Sequence, residues 1–108
     1  MFIGRVVGSL WATRKTTNTQ GMKFLIIQPY NLKKAPNTDT IVAADILGAG
    51  EGELVMVAYG RAARLAIGNE NVSIEAAVTA IIDEYDVNAE YYKGDMDSSA
   101  IHYKKQLA

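Results

Sequence analysis

The residues with chemistry to offer cluster in one stretch. Residues 48–53, Gly-Ala-Gly-Glu-Gly-Glu, place two carboxylates, Glu51 and Glu53, among three glycines at alternate positions. A phosphate cradle is the first chemistry to test. The spacing is not G-x-G-x-x-G, the loop runs into a strand-like segment rather than a helix start, and two acids would repel phosphate. A calcium loop needs more oxygen ligands at defined spacing. Glu51 and Glu53 therefore read as solvated or interface carboxylates rather than an acid–base pair. Gly48, Gly50 and Gly52 make either a tight strand connection or a loop packed against a symmetry-related backbone. Sequence alone leaves both open.

The other candidates are isolated. Arg61 and Arg64, three apart, share one side of a short helical stretch and are available to carboxylates of this chain or of a neighbour, Glu51 and Glu53 included. Asp45 sits in an apolar run and needs a partner if buried. His102 is the only histidine, in a chain with no cysteine, so no metal site forms around it and it reads as a surface residue. Ser9 and Ser73 have no neighbouring His or Lys pattern to activate them. Trp11, Phe24 and Tyr30 are the residues an oligonucleotide-binding barrel would use for stacking. No catalytic set, cofactor or metal is expected.

Composition sets the frame. The chain has 108 residues, enough for one domain with a real core, and its formal charge of -1 gives it no basic excess for a nucleic-acid backbone. Cysteine is absent, so disulfides and thiol chemistry are excluded, which fits a reducing compartment. The opening residues lack a signal-peptide pattern, and no apolar run approaches the ~20 residues of a membrane span. A cytoplasmic protein without membrane or nucleic-acid partners is expected. Hydrophobic residues make up 49% of the chain, high for this size, which points to apolar surface buried against another subunit.

The elements that must carry these residues are mostly strands. Residues 2–13 alternate, with the even positions apolar or small, and predict a half-buried strand. A polar turn at 14–21 leads to a second strand at 22–29, apolar on both faces and stopped by Pro29. After a loop at 30–40, strands are expected at 41–47 and 53–59, flanking the glycine loop. Residues 61–67 are the best helical candidate, ended by Gly68-Asn69. Ser73 is a plausible cap for at most one helical turn at 75–77, and 77–83 reads as a fifth strand, again apolar on both faces. Residues 84–93 hold one more edge strand at most, and 100–107 a short helix or a flexible tail. The fold expected is mainly β: a small five-stranded OB-like β-barrel with one or two short helices, over residues 1–85, with a C-terminal extension at 86–108.

Taken in order, these residues resemble a known family, the pentameric vertex proteins of bacterial microcompartments, EutN/CcmL type. The resemblance covers residues 1–83. It rests on Ile3-Gly-Arg-Val-Val-Gly8, Gly21-Met-Lys-Phe-Leu-Ile-Ile-Gln28, Val42-Ala-Ala-Asp45, the run from Leu47 through the glycine loop to Val55, then Gly60, Ala62-Ala63-Arg64 and Ile81-Ile82-Asp83. It implies a barrel that assembles as a cyclic homopentamer. Such pentamers cap the five-fold vertices of a shell tiled by hexameric proteins, without catalysis. It also implies that Gly48, Ala49, Gly50, Glu51, Gly52, Glu53, Arg61 and Arg64 lie at subunit contacts or near an axial opening. Two departures stand out: Arg61 occupies a position where the family usually has a small Ser, and Ser73 and Glu75 stand where Pro and Asp are common. The runner-up function is an OB-like oligonucleotide-binding barrel.

Overall fold

A computed structural model describes residues 1–11, 22–30, 39–88 and 102–106. Its strands are β1 (Phe2–Leu10), β2 (Lys23–Pro29), β3 (Ile41–Asp45), β4 (Leu54–Tyr59) and β5 (Ala76–Ile81), with one helix, α1 (Gly60–Ile67), between β4 and β5. These five strands close into a barrel in the order β1-β2-β3-β5-β4. Every neighbouring pair is antiparallel except β3 and β5, which run parallel and meet at Ala44 and Ala77. The five-stranded barrel expected from the sequence is present. A two-stranded ribbon follows it, β6 (Glu84–Asp86) paired with β7 (His102–Lys104).

The period-two pattern explains the interior. Val6, Leu25, Ile27, Ala43, Val55, Val57 and Val78 point inward and fill the barrel together with Ala49 and Ala76. A second cluster lies outside the barrel wall, where Ala63 of α1 packs on Ala44, Ala58 and Ala77, flanked by Val72 and Ile74. Alanines facing one another let the helix approach the strands closely. An eight-residue helix is marginal by itself, so this packing is what holds it. Its end is the expected one: Gly68 adopts a left-handed φ of 90° and donates its N–H to the carbonyls of Arg64 and Leu65.

The second cluster covers the outer face of β5 at Ala77 with α1 of the same chain. Strand two is divided: Phe24 packs against the helix-side cluster, while Ile26 is half-buried beside Val42, which is 48% exposed.

Several boundaries shift for physical reasons. β1 ends at Leu10, and Trp11 beyond it is 92% exposed. The expected residues 12 and 13, the turn at 14–21 and residues 31–38 of the loop expected at 30–40 lie outside the described residues. The third strand stops at Asp45 rather than at residue 47, because the Asp45 side chain draws the following amides into a turn. The fourth begins at Leu54, one residue later than expected. Residues 75–77 make no helical turn, and Ala76 already belongs to β5, paired with Tyr59. Residues 102–104 form a strand, not the helix or tail expected over 100–107, since they find an antiparallel partner in β6. Of the expected edge strand at 84–93, the part at 84–86 is present, and 89–93 lie outside the described residues.

Closure of the barrel depends on one close approach. A Cβ at Gly4 would stand 2.3 Å from Ile27 Cγ2 and 3.2 Å from the Gln28 carbonyl oxygen. Gly8, after an irregularity in the β1–β2 register, is roomier, with Ile26 Cδ1 at 3.6 Å. Gly4→Ala is therefore expected to cost about 1–3 kcal/mol through overpacking, read by denaturant unfolding, whereas Gly8→Ala stays within about 1 kcal/mol of the parent. Equal stability of the two variants would show that the β1–β2 contact yields freely.

Candidate functional site

The glycine loop leaves β3 at Asp45 and enters β4 at Leu54. Asp45 is 4% exposed, and its carboxylate is the anchor of the loop's first half. Oδ1 accepts the Leu47 N–H at 3.0 Å, and Oδ2 accepts those of Gly48 at 3.1 Å and Ala49 at 2.9 Å. A buried carboxylate needs such donors, and a chain turning out of a sheet has amides to spare, so each need meets the other. Ala49 is thereby pulled into the barrel core, 1% exposed.

The second half is tied to β1. Gly52 donates its N–H to the Val6 carbonyl at 2.8 Å, and Val6 donates to the Glu53 carbonyl at 2.9 Å, which extends the β1–β4 ladder into the loop. Arg5 Nη1 donates to the Gly52 carbonyl at 2.7 Å, and its guanidinium lies 5.8 Å from the centre of the Tyr30 ring. Gly48 and Gly52 have φ of 85° and 90°, a left-handed region costly for other residues, while a Cβ at either would meet nothing within 4 Å. Within the chain these two glycines serve the turn and not a close backbone approach.

Glu51 and Glu53 do not act as a pair. Glu51 is exposed. Glu53 uses both carboxylate oxygens: Oε1 accepts the Gly50 N–H at 2.7 Å, and Oε2 pairs with Lys105 Nζ at the end of the ribbon. The Lys105 ammonium, then the Gly50 amide, hold the Glu53 carboxyl below its ordinary 4.5, and Glu53 in turn raises Lys105. The two arginines also part company. Arg61, largely exposed, donates through Nε to Glu70 Oε1 at 2.8 Å. Arg64 reaches Glu75 Oε1 at 3.3 Å and the Ile74 carbonyl at 3.4 Å, and so ties α1 to the segment entering β5. Neither is paired with Glu51 or Glu53 within the chain. His102 is exposed, with Nδ1 3.9 Å from Asp86 Oδ1.

The three aromatics proposed as stacking platforms do not share a face. Phe24 packs against the helix-side cluster, Trp11 projects into solvent, and Tyr30 meets Tyr85 in a tilted contact at 6.0 Å, while Tyr85 stacks on Tyr103 at 5.7 Å. Burial, with Tyr30 beside it, pushes the Tyr85 phenol above its ordinary value.

Sequence reasoning singled out the loop, and Asp45 as a residue needing a partner if buried, but not the anchoring of the loop by Asp45, Arg5 and Lys105. Asp45 was legible in principle, since an Asp two to four residues before free amides and a glycine is an Asx-type turn signal. Arg5 and Lys105 are not legible, because each acts on residues about 50 positions away.

The comparisons with known proteins agree with this architecture. The family profile described as "Ethanolamine utilisation protein EutN/carboxysome" matches residues 1–83. The bacterial microcompartment shell vertex protein GrpN of Rhodospirillum rubrum is 37% identical over 83 residues, covering 77% of this chain and 93% of GrpN. The carboxysome shell vertex protein CcmL of Thermosynechococcus vestitus is 43% identical over 83 residues, covering 77% of this chain and 84% of its own length. Among solved structures, Gloeobacter violaceus CcmL superposes with a TM-score of 0.75 at 39% identity, covering 82% of this chain and 91% of the other. The structure titled as the GrpN pentameric microcompartment shell protein from R. rubrum gives 0.68 at 36% identity, covering 77% and 94%.

Two measurements check this geometry. Asp45→Ala, which strands three amides, is expected to destabilise by on the order of 3 kcal/mol, with Asp45→Asn milder because one side-chain oxygen remains as acceptor. A loss under about 0.5 kcal/mol for Asp45→Ala would mean that the turn holds without its carboxylate. The Glu53–Lys105 contact has a definite pH window. A carboxyl held low contributes stability above its ordinary value and loses it as pH falls through the lowered one, while a raised lysine contributes below its ordinary value and loses it as pH rises past the raised one. The stability difference between parent and Glu53→Gln should thus be flat from roughly pH 5 to 10 and shrink at both extremes. A difference that persists unchanged in strong acid would place its origin elsewhere.

Proposed function

This chain belongs to the EutN/CcmL family, and on that premise we propose that it is a structural shell protein whose cyclic pentamer caps the five-fold vertices of a bacterial microcompartment. The observation that carries the reading is the superposition of the whole closed barrel on a pentameric shell protein, over 77% of this chain. The exposed apolar residues fit an assembling subunit: Val42, Ile46 and Leu47 along and beyond β3, Tyr59 and Leu65 around α1. A ring closed by rotation uses two different surfaces of each copy, so apolar exposure at separate places on the barrel suits it.

The finer assignments belong to the same proposal. The loop residues Gly48, Ala49, Gly50, Glu51, Gly52 and Glu53 are read as a subunit contact or the rim of an axial opening, with Arg61 and Arg64 next to it. The exposed Glu51 and the largely exposed Arg61 are the charges with most freedom to face a neighbour. Hexameric shell proteins are the partners expected around the pentamer, in a shell inside the bacterial cytoplasm. No helix among the described residues is long and apolar enough to cross a membrane. The role is structural and not enzymatic, and the carboxylates of Asp45 and Glu53 are engaged in fixing the loop's backbone.

Light scattering should give a particle five times the 11.7 kDa chain mass, and co-expression with hexameric shell proteins should close otherwise open shells. A stable monomer at micromolar concentration would count decisively against the proposal. Within it, Arg61→Glu should lower the pentamer fraction while leaving the barrel intact, because its exposed pair with Glu70 is worth only about 0–1 kcal/mol to the fold. An unchanged pentamer would place Arg61 at a solvent face.

A further inference from the structure

The ribbon β6–β7 lies outside the part of the chain matched to the family, which ends at residue 83. Its two faces are chemically different. Tyr85 and Tyr103 are register partners and stack on one face, where Tyr85 also meets Tyr30, just past the end of β2, in a tilted contact at 6.0 Å. The other face carries Glu84 opposite Lys104 and Asp86 opposite His102, all exposed. With Glu84 facing the opposite charge of Lys104, that surface is polar and has nothing apolar to present. A ribbon so divided is built to lie on its own barrel through the tyrosines. Arg5, which holds the Gly52 carbonyl, lies over the ring of the same Tyr30.

The ribbon's exit carries the contact that matters. Lys105 donates its N–H to the Asp83 carbonyl at 2.6 Å, which brings its side chain to Glu53 Oε2. The other Glu53 oxygen holds the Gly50 N–H, so one carboxylate joins the C-terminal segment to the middle of the glycine loop. The charged groups around this contact are Glu53 on the loop, Lys105 and Asp83 on the ribbon's ends, and Arg5 on β1.

We propose that the C-terminal ribbon is an intramolecular strap on the glycine loop: the tyrosine face lays it on the barrel, and Lys105 closes on Glu53, fixing residues 50–53 and cancelling one of the loop's two negative charges. Each copy then presents Glu51 alone. Where five copies bring their loops together, the strap lowers the like-charge repulsion between them; this consequence rests on the assembly role given to the loop above, while the strap itself does not.

The test uses the full-length chain with Lys105→Ala, Glu53→Gln and the conservative Lys105→Arg, and reads amide hydrogen exchange together with oligomeric state at low and high salt. In Lys105→Ala the Gly50 and Gly52 amides should exchange about tenfold faster or more, with Val78 in β5 unchanged as the internal control. Lys105→Arg should restore slow exchange, and Lys105→Ala combined with Glu53→Gln should add nothing beyond the larger single effect. The Lys105→Ala oligomer should also loosen at low salt and recover at high salt, where repulsion is screened. Loop exchange that stays at the parent rate in both Lys105→Ala and Glu53→Gln overturns the strap, whatever the oligomer does. Faster exchange with an oligomer indifferent to salt upholds the strap and removes the loop from the subunit contact.

Discussion

The Asp45 carboxylate is the constraint on which the rest of the molecule turns. It sits at the end of a strand whose last three residues are buried, at the junction of β3, the barrel core and the glycine loop. Three successive amides, Leu47, Gly48 and Ala49, converge on it. That convergence ends the strand and folds Ala49 back into the interior. It also sets the direction from which the chain climbs to β4. The glycines follow from this geometry. The chain leaving this anchor enters the left-handed region at Gly48 and Gly52, where glycine is the residue that does so at no steric cost.

The barrel's parallel seam shows how packing substitutes for pairing. β3 and β5 share one register pair, Ala44 with Ala77, so the ladder there supplies little by itself. Both alanines face the helix-side cluster, where Ala63 of α1 closes over them with Ala58. Small side chains on four elements allow the helix to sit where the strands diverge, and the apolar burial replaces hydrogen bonds that a longer seam would have made. Arg64 secures the arrangement from the helix end by reaching the Ile74 carbonyl and Glu75 just before β5 begins. An arginine singled out for its place on a helix face thus has a task in closing the barrel.

How much of this was readable in advance follows the range of the interactions. The strands and the helix were legible because their signals are local: alternation in β1, the apolar run of β2, the alanines before Gly68. The glycine loop was legible as a special place for the same reason. Its glycines were open to two readings, a tight connection or a close approach, and within the chain the positive φ angles and the empty space around Gly48 and Gly52 favour the first. The close approach exists, but at Gly4, where the requirement comes from Ile27 on the neighbouring strand. The β6–β7 pairing was illegible in the sequence. Three residues at 102–104 become a strand only because three others at 84–86 lie beside them. Local propensity there is too weak to decide between helix and strand, and the long-range partner decides.

The loop's electrostatics also explain why a stretch with the composition of a site is built as scaffold. A carboxylate recruited for proton transfer near neutrality needs its affinity for the proton raised, by burial away from donors or by a second acid held close. Glu53 experiences the reverse: an ammonium on one oxygen and a backbone N–H on the other hold its carboxyl below the ordinary value. Asp45 is buried, yet its oxygens are already committed to three amides. Each acid whose position the fold controls has its acceptor capacity directed at backbone or at a fixed cation, which makes the loop rigid and leaves it little to offer a reacting proton. The glycines supply the turn, and Asp45 and Glu53 pin it.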